Sequence, residues 1–129
     1  MKELFDKVCA DCSRNVTKTY STSFSLATRM LSKNIRQDIY NIYGFVRFAD
    51  EIVDTFHNYD KEILLNRFIN ELEYSLKNDI SLITILNSFQ ITVKKYNIDK
   101  HLIDSFLSSM RLDLEKKEYS NYDDYKSYI

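Results

Sequence analysis

Apolar residues recur at three- and four-residue steps from the start of the chain to about Lys117, interrupted only by short polar clusters, and this period predicts a succession of helices. The first covers residues 2–19, with Leu4, Phe5, Val8, Cys9, Cys12 and Val16 as its apolar stripe and Lys and Asp on the other side. Tyr20 is then followed by Ser21, Thr22, Ser23, Phe24 and Ser25, a hydroxyl-rich run that can cap the next helix or bind an anion through hydroxyls and free backbone N–H groups. A short helix spans 23–30, and Ser32 caps a long central helix that takes in 35–56. Asp60 caps a further helix over 61–77, with Ile63, Leu64, Phe68, Leu72 and Leu76 inward. Asn78-Asp79 breaks the pattern, another helix runs from near Ser81 to Tyr96, Asn97 ends it, and Asp99 caps one that reaches about Lys117. On that last helix Leu102, Phe106, Ser109, Met110 and Asp113 fall on one side by angular count, which sets a carboxylate in an apolar stripe. Ser120 or Asn121 then caps a helix beginning at 122–125. Tyr125, Tyr128 and Ile129 open an apolar pattern that is unfinished at the last residue, so uncovered core surface and self-association are expected.

The central helix carries the chemistry. At ~100° per residue, Tyr43, Arg47, Asp50 and Asp54 fall within a wedge of roughly 60°. Ile42, Val46, Ala49 and Val53 flank it, and Phe45, Phe48, Ile52 and Phe56 lie across the helix. A helix apolar over most of its girth belongs in an interior, yet this one keeps two carboxylates, a guanidinium and a phenol in one seam. Asp50 and Asp54 are about 6 Å apart along the axis. That spacing suits a hard divalent cation, which takes oxygen ligands and completes its shell with water or a substrate phosphate. The plainer alternative is a salt-bridge ladder, Arg47 pairing with Asp50 or Glu51.

Composition narrows the field. One Gly and no Pro in 129 residues leave little room for a sheet, and ten Tyr with eight Phe make the interior aromatic-rich. A net charge of −1 gives no electrostatic case for nucleic acid or an acidic membrane surface. No apolar run approaches the ~18 residues of a membrane span, and the first residues lack a signal-peptide core, so a cytoplasmic protein is the default. Cys9 and Cys12 form a CxxC inside a helical pattern. Zinc would need two more ligands, and His57 and His101 are isolated, so two small helix residues in a reducing compartment is the simpler account.

Taken in order, Tyr20-Ser-Thr-Ser-Phe-Ser, then Ile42-Tyr43-Gly-Phe-Val-Arg47-Phe-Ala-Asp50-Glu-Ile-Val-Asp54, then Arg111-Leu-Asp113-Leu with Tyr119 and Tyr128 beyond, resemble the phytoene/squalene synthase family. The resemblance implies an all-α, isoprenoid-synthase-like helical bundle, with residues 1–129 as the N-terminal part of a single domain holding its first five or six helices. It implies head-to-head condensation of two prenyl diphosphates through a cyclopropyl diphosphate, first geranylgeranyl diphosphate to phytoene in carotenoid biosynthesis, and second farnesyl diphosphate to squalene or dehydrosqualene. By the same resemblance Asp50 and Asp54 hold Mg²⁺ (or Mn²⁺) on the diphosphate, and Tyr43 and Arg47 contact that group. Tyr20, Ser21, Thr22, Ser23 and Phe24 close over it, and Asp113 and Tyr128 line the reaction cavity. The family's second aspartate-rich motif has no counterpart here, so the chain is expected not to turn over substrate alone. Peripheral membrane contact for an apolar product fits the same picture, and nucleic acid does not. A terpene cyclase fits the serine-rich segment and the Arg47 spacing poorly. A non-catalytic helical assembly or binding protein would be expected to lack the Arg47, Asp50 and Asp54 set.

Overall fold

The computed structural model describes the backbone of residues 1–127 and the side chains of residues 1–116. Among the described residues there are six helices and no strand: α1 (Lys2–Tyr20), α2 (Thr22–Arg29), α3 (Lys33–Asp54), α4 (Lys61–Asn78), α5 (Thr84–Tyr96) and α6 (Lys100–Ser127). The all-α reading therefore holds. Most boundaries follow side-chain chemistry. Ser21, Ser32 and Asp60 cap α2, α3 and α4 by accepting from the backbone N–H of Phe24, Asn34 and Ile63. The carboxylate of Asp99 accepts from the N–H of His101 at 2.8 Å. Asp79 and Asn97 end α4 and α5 in the left-handed conformation, φ 63° and 50°, which Asn and Asp tolerate better than most residues.

Leu4 and Val8 on α1 and Ile63 on α4 are exposed where an inward face was expected, since α1 turns Cys9, Ser13 and Thr17 inward and α4 turns Leu65, Phe68 and Leu72 inward. Four further boundaries or faces differ from the sequence pattern. The central helix stops at Asp54, two residues before Phe56. Lys61 donates to the carbonyl of Val53 at 2.8 Å and so closes the end of α3 as the chain turns into α4. Ser81 precedes its helix, where its hydroxyl accepts from the N–H of Ile83 at 3.0 Å; α5 starts at Thr84, and its N-cap residue Ile83 offers no side-chain cap. The break expected at Ser120 or Asn121 is absent, because α6 runs unbroken through it. Neither residue is Gly or Pro, and a Ser or Asn inside a helix costs only about half a kcal/mol. The fourth correction concerns the face of α6. Leu102 and Asp113 are exposed, and the buried side is Ile103, Leu107 and Leu114 with Phe106 and Met110 partly buried. The angular count was off by about one residue, enough to move Asp113 from the stripe to the surface.

Helices α1, α3 and α5 pack mutually, α4 lies on α3 and α5, and α6 contacts α3 and α4. Phe45 anchors the interior, 3% exposed, with Phe89, Phe68 and Phe106 around it at ring separations of 4.0, 5.7 and 5.4 Å. Gly44 lies where α3 passes closest to its neighbours; a Cβ there would sit 3.4 Å from Ile85 and 3.5 Å from Ser13. A polar seam ties α3 to α5: Asp38 accepts from Thr92, Lys95 and Tyr96, Asn41 donates to Thr92, and Gln37 donates to Asn41 and to the carbonyl of Ala10. Burial raises the Asp38 pKa, but the three donors outweigh it and hold the carboxyl below its ordinary range. Asn87 makes a similar clasp, donating to Asp6 and accepting from the N–H of Ser81. Cys9 is buried and Cys12 half-buried, both as free thiols.

Candidate functional site

The end of α1, the start of α2 and the C-terminal half of α3 converge. Ser21 joins α1 to α2. Its N–H donates to the Thr17 carbonyl at 2.9 Å, and its hydroxyl accepts from the Phe24 N–H at 3.1 Å. At this position the hydroxyl run does act as a cap. Thr22 and Ser23 stand exposed on the first turn of α2. Phe24 stacks on Tyr43 with ring centroids 4.9 Å apart, which fastens the serine segment to α3.

One turn further along α3, the guanidinium of Arg47 lies over the Tyr20 ring at 5.0 Å. An Nη of Arg47 donates to Glu51 at 2.5 Å, so of the two partners the spacing allowed, Glu51 is the one shown. The pair is no loose surface ladder, since both side chains are largely buried. The Nε–H of Arg47 is also buried, with no acceptor among the described residues. A buried donor without a partner is uncommon and costs free energy. Asp50 is half-buried, and Asp54, the last residue of α3, is exposed. Among the described residues no three His, Cys, Asp or Glu side chains gather as a metal cage. Two carboxylates one turn apart fit a hard divalent ion only if a phosphate and water complete its shell.

Beside this polar group opens a cavity of about 420 Å³. Tyr20 and Glu51 stand on its wall, Phe48, Ile52, Phe56, Leu64, Phe68 and Ile83 make most of its surface apolar, and Arg67 adds a cation. The sequence pattern did not single out Arg67 or the cavity. Arg67 shows no local motif, and the cavity arises only when α3 and α4 meet. The structure thus brings Tyr20, Phe24, Tyr43, Arg47 and Glu51 together. It leaves Asp113 exposed on α6, and Tyr128 lies outside the described residues.

The fold and site define a protein that is all-helical among its described residues, with an arginine, aromatic and carboxylate cluster that shares Tyr20 and Glu51 with the wall of an apolar pocket. The squalene/phytoene synthase family pattern matches residues 17–129, and the chain belongs to that family. It is 27% identical over 125 residues, 96% of the chain, to phytoene synthase 1, chloroplastic, of Solanum lycopersicum. It is 28% identical over 129 residues, 99% of the chain, to phytoene synthase 1, chloroplastic, of Zea mays, and 28% over 123 residues, 95% of the chain, to that of Arabidopsis thaliana. The aligned part is 29%, 30% and 28% of those three proteins, so the chain spans less than a third of their length. No helix among the described residues is long and apolar enough to cross a membrane.

Proposed function

We propose that this chain provides the diphosphate-binding side of a head-to-head prenyl synthase, with geranylgeranyl diphosphate as substrate and phytoene as product. The observation that carries the reading is the buried Nε–H of Arg47, which has no acceptor among the described residues, while its neighbours Tyr20 and Glu51 stand on the wall of an apolar cavity. A diphosphate oxygen is the acceptor such a donor lacks, and arginine's planar fork suits phosphate geometry. Diphosphate becomes a good leaving group when its charge is neutralised. A divalent metal held by Asp50 and Asp54 would supply part of that neutralisation when bound. Arg47 supplies the rest from the protein, kept in place by Glu51 and the Tyr20 face. Departure of diphosphate leaves an allylic cation, and the aromatic faces of Tyr20, Phe48 and Phe56 stabilise positive charge without adding to it as water would. The apolar wall takes the prenyl tail. The hydrocarbon formed is too apolar for water, which places product release at a membrane surface, with the protein itself in the cytoplasm.

The test is calorimetric titration of the 129-residue chain with geranylgeranyl diphosphate, with and without Mg²⁺. Binding should require Mg²⁺ and weaken at least ten-fold in Arg47→Lys and in Asp50→Asn. Mg²⁺-independent binding, or binding untouched by both variants, would overturn the reading. With one carboxylate pair the chain alone should release no phytoene, and efficient hydrocarbon formation by it would refute that part. Farnesyl diphosphate, the squalene-type alternative, should bind more weakly.

A further inference from the structure

The even charge balance of the chain conceals a strong segregation. Residues 12–37 contain Arg14, Lys18, Arg29, Lys33 and Arg36 and no acid at all, in a chain whose net charge is −1. The fold gathers four of these five. Arg14 from α1, Arg29 at the end of α2, and Lys33 and Arg36 on the first turns of α3 ring a surface cavity of about 290 Å³ with Gln37 and Tyr40. None of the four takes part in an ion pair among the described residues. Arg36 is held by donating to the carbonyls of Leu31 at 2.9 Å and Arg29 at 2.6 Å. The nearest acid on α3, Asp38, is buried and engaged by Thr92, Lys95 and Tyr96.

Exposed apolar side chains are interleaved with Arg29, Lys33 and Arg36 along the same stretch of chain. Met30 is 88% exposed and Leu26 56%, and Leu31 and Ile35 are also exposed. Leu26 on α2 and the C-cap residue Met30 are one turn apart, with Arg29 between them in sequence. Cations alone would suit any polyanion. Cations interleaved with outward-facing aliphatic residues suit a surface that is anionic outside and hydrocarbon within.

We propose that the α2–α3 corner is a membrane-docking surface that seats on a bilayer rich in anionic lipid. Leu26, Met30 and Leu31 enter the headgroup layer, and Arg14, Arg29, Lys33 and Arg36 pair with lipid phosphates. The surface lies at the end of α3 opposite the acidic cluster, Arg36 and Asp54 being about 27 Å apart along the helix. Docking there leaves Asp50 and Asp54 clear of anionic headgroups that would compete for a divalent cation. The proposal goes beyond the reading above, because this surface shares no residue with the apolar cavity near Arg47. It is tested without substrate, so the reaction can fail while docking stands, and the reverse.

The experiment is flotation of the protein with vesicles of phosphatidylcholine alone and of phosphatidylcholine with about 30% phosphatidylglycerol, whose negative surface potential attracts basic segments. Binding should occur only with the anionic vesicles and fall steeply with salt. Each cation removed should cost about five-fold in partitioning at low salt. Arg29→Glu with Lys33→Glu should therefore abolish flotation, whereas Lys77→Glu with Lys116→Glu, the same charge change elsewhere, should reduce it only slightly. Met30→Ser, an exposed change that cannot disturb the core, should weaken binding several-fold even where salt screens the charges. Equal binding to both vesicle types, no binding, or equal loss in the two charge-reversal pairs would overturn the proposal. So would full displacement by millimolar inorganic phosphate, which would identify a free-anion site instead.

Discussion

Replacing Asp38 separates what holds α3 to α5 into parts that can be measured. The carboxylate is 8% exposed and accepts from Thr92 at 3.1 Å, Lys95 at 2.8 Å and Tyr96 at 2.7 Å. In Asp38→Ala the fully buried Thr92 hydroxyl loses its acceptor, which costs about 1–3 kcal/mol. Lys95 and Tyr96 are about half exposed and turn to water, so losing their bonds adds little. Alanine's better helix propensity returns roughly half a kcal/mol. The net expectation is a loss of about 2 kcal/mol. Asp38→Asn keeps an acceptor for Thr92 and should lose only about 1 kcal/mol. The pH dependence has a definite sign. A depressed folded-state pKa gives stability that is full above the unfolded value of about 4 and is lost as pH falls through the folded one. Lys95 and Tyr96 are both raised, chiefly by their hydrogen bonds to Asp38, so their share is full below about pH 10 and is lost as pH rises through the folded values. Urea unfolding followed by circular dichroism from acid to neutral pH checks both points. The difference between the native chain and Asp38→Asn should be constant at neutral pH and shrink in acid. A difference that persists unchanged to low pH, or an Asp38→Ala variant within about 0.5 kcal/mol of native, would refute the reasoning.

Three other substitutions probe the packing. Phe45→Ala removes the ring in contact with Phe68, Phe89 and Phe106 and should cost about 3–5 kcal/mol by the same urea assay. Gly44→Ala places its methyl group at ordinary contact distance from Ile85 and Ser13, so a gain of up to about 1 kcal/mol is expected, whereas Gly44→Leu should be destabilising. Lys61→Met removes the donor to the Val53 carbonyl and should cost about 1 kcal/mol, with faster amide exchange confined to the last turn of α3 and the turn into α4.

Local chemistry was legible in the sequence where the decision is local. Ser32, Asp60, Asp99 and Asn97 mark helix ends because each acts through its own neighbouring backbone. The seam of Tyr43, Arg47, Asp50 and Asp54 was visible because one helix carries all four. Features set by two helices were not. The same Asp residue type is buried at position 38 and exposed at position 113, and only the facing donors Thr92, Lys95 and Tyr96 distinguish the two. Ser120 has the composition of a cap and lies inside α6, because nothing after it diverts the chain. Arg47 could reach either Asp50 or Glu51 by spacing, and the structure displays the bond to Glu51.

The charge order along α3 links the two proposed surfaces. A helix favours acids near its N-terminus and cations near its C-terminus. Helix α3 is built the other way, with Lys33 and Arg36 at its start, Asp50, Glu51 and Asp54 toward its end, no acid in the first turn and no base in the last. Each exposed charge so placed costs about 0.3–1 kcal/mol, so helix stability does not explain the arrangement. A basic N-terminal turn adds to the positive end of the dipole and attracts an anion; an acidic C-terminal turn adds to the negative end and attracts a cation. Each end thus becomes a stronger binding surface as the helix becomes a weaker helix. It follows that Lys33→Glu, at a residue with no ion pair among the described residues, should leave thermal stability equal or higher while weakening lipid docking. Loss of docking in that variant cannot then be ascribed to unfolding.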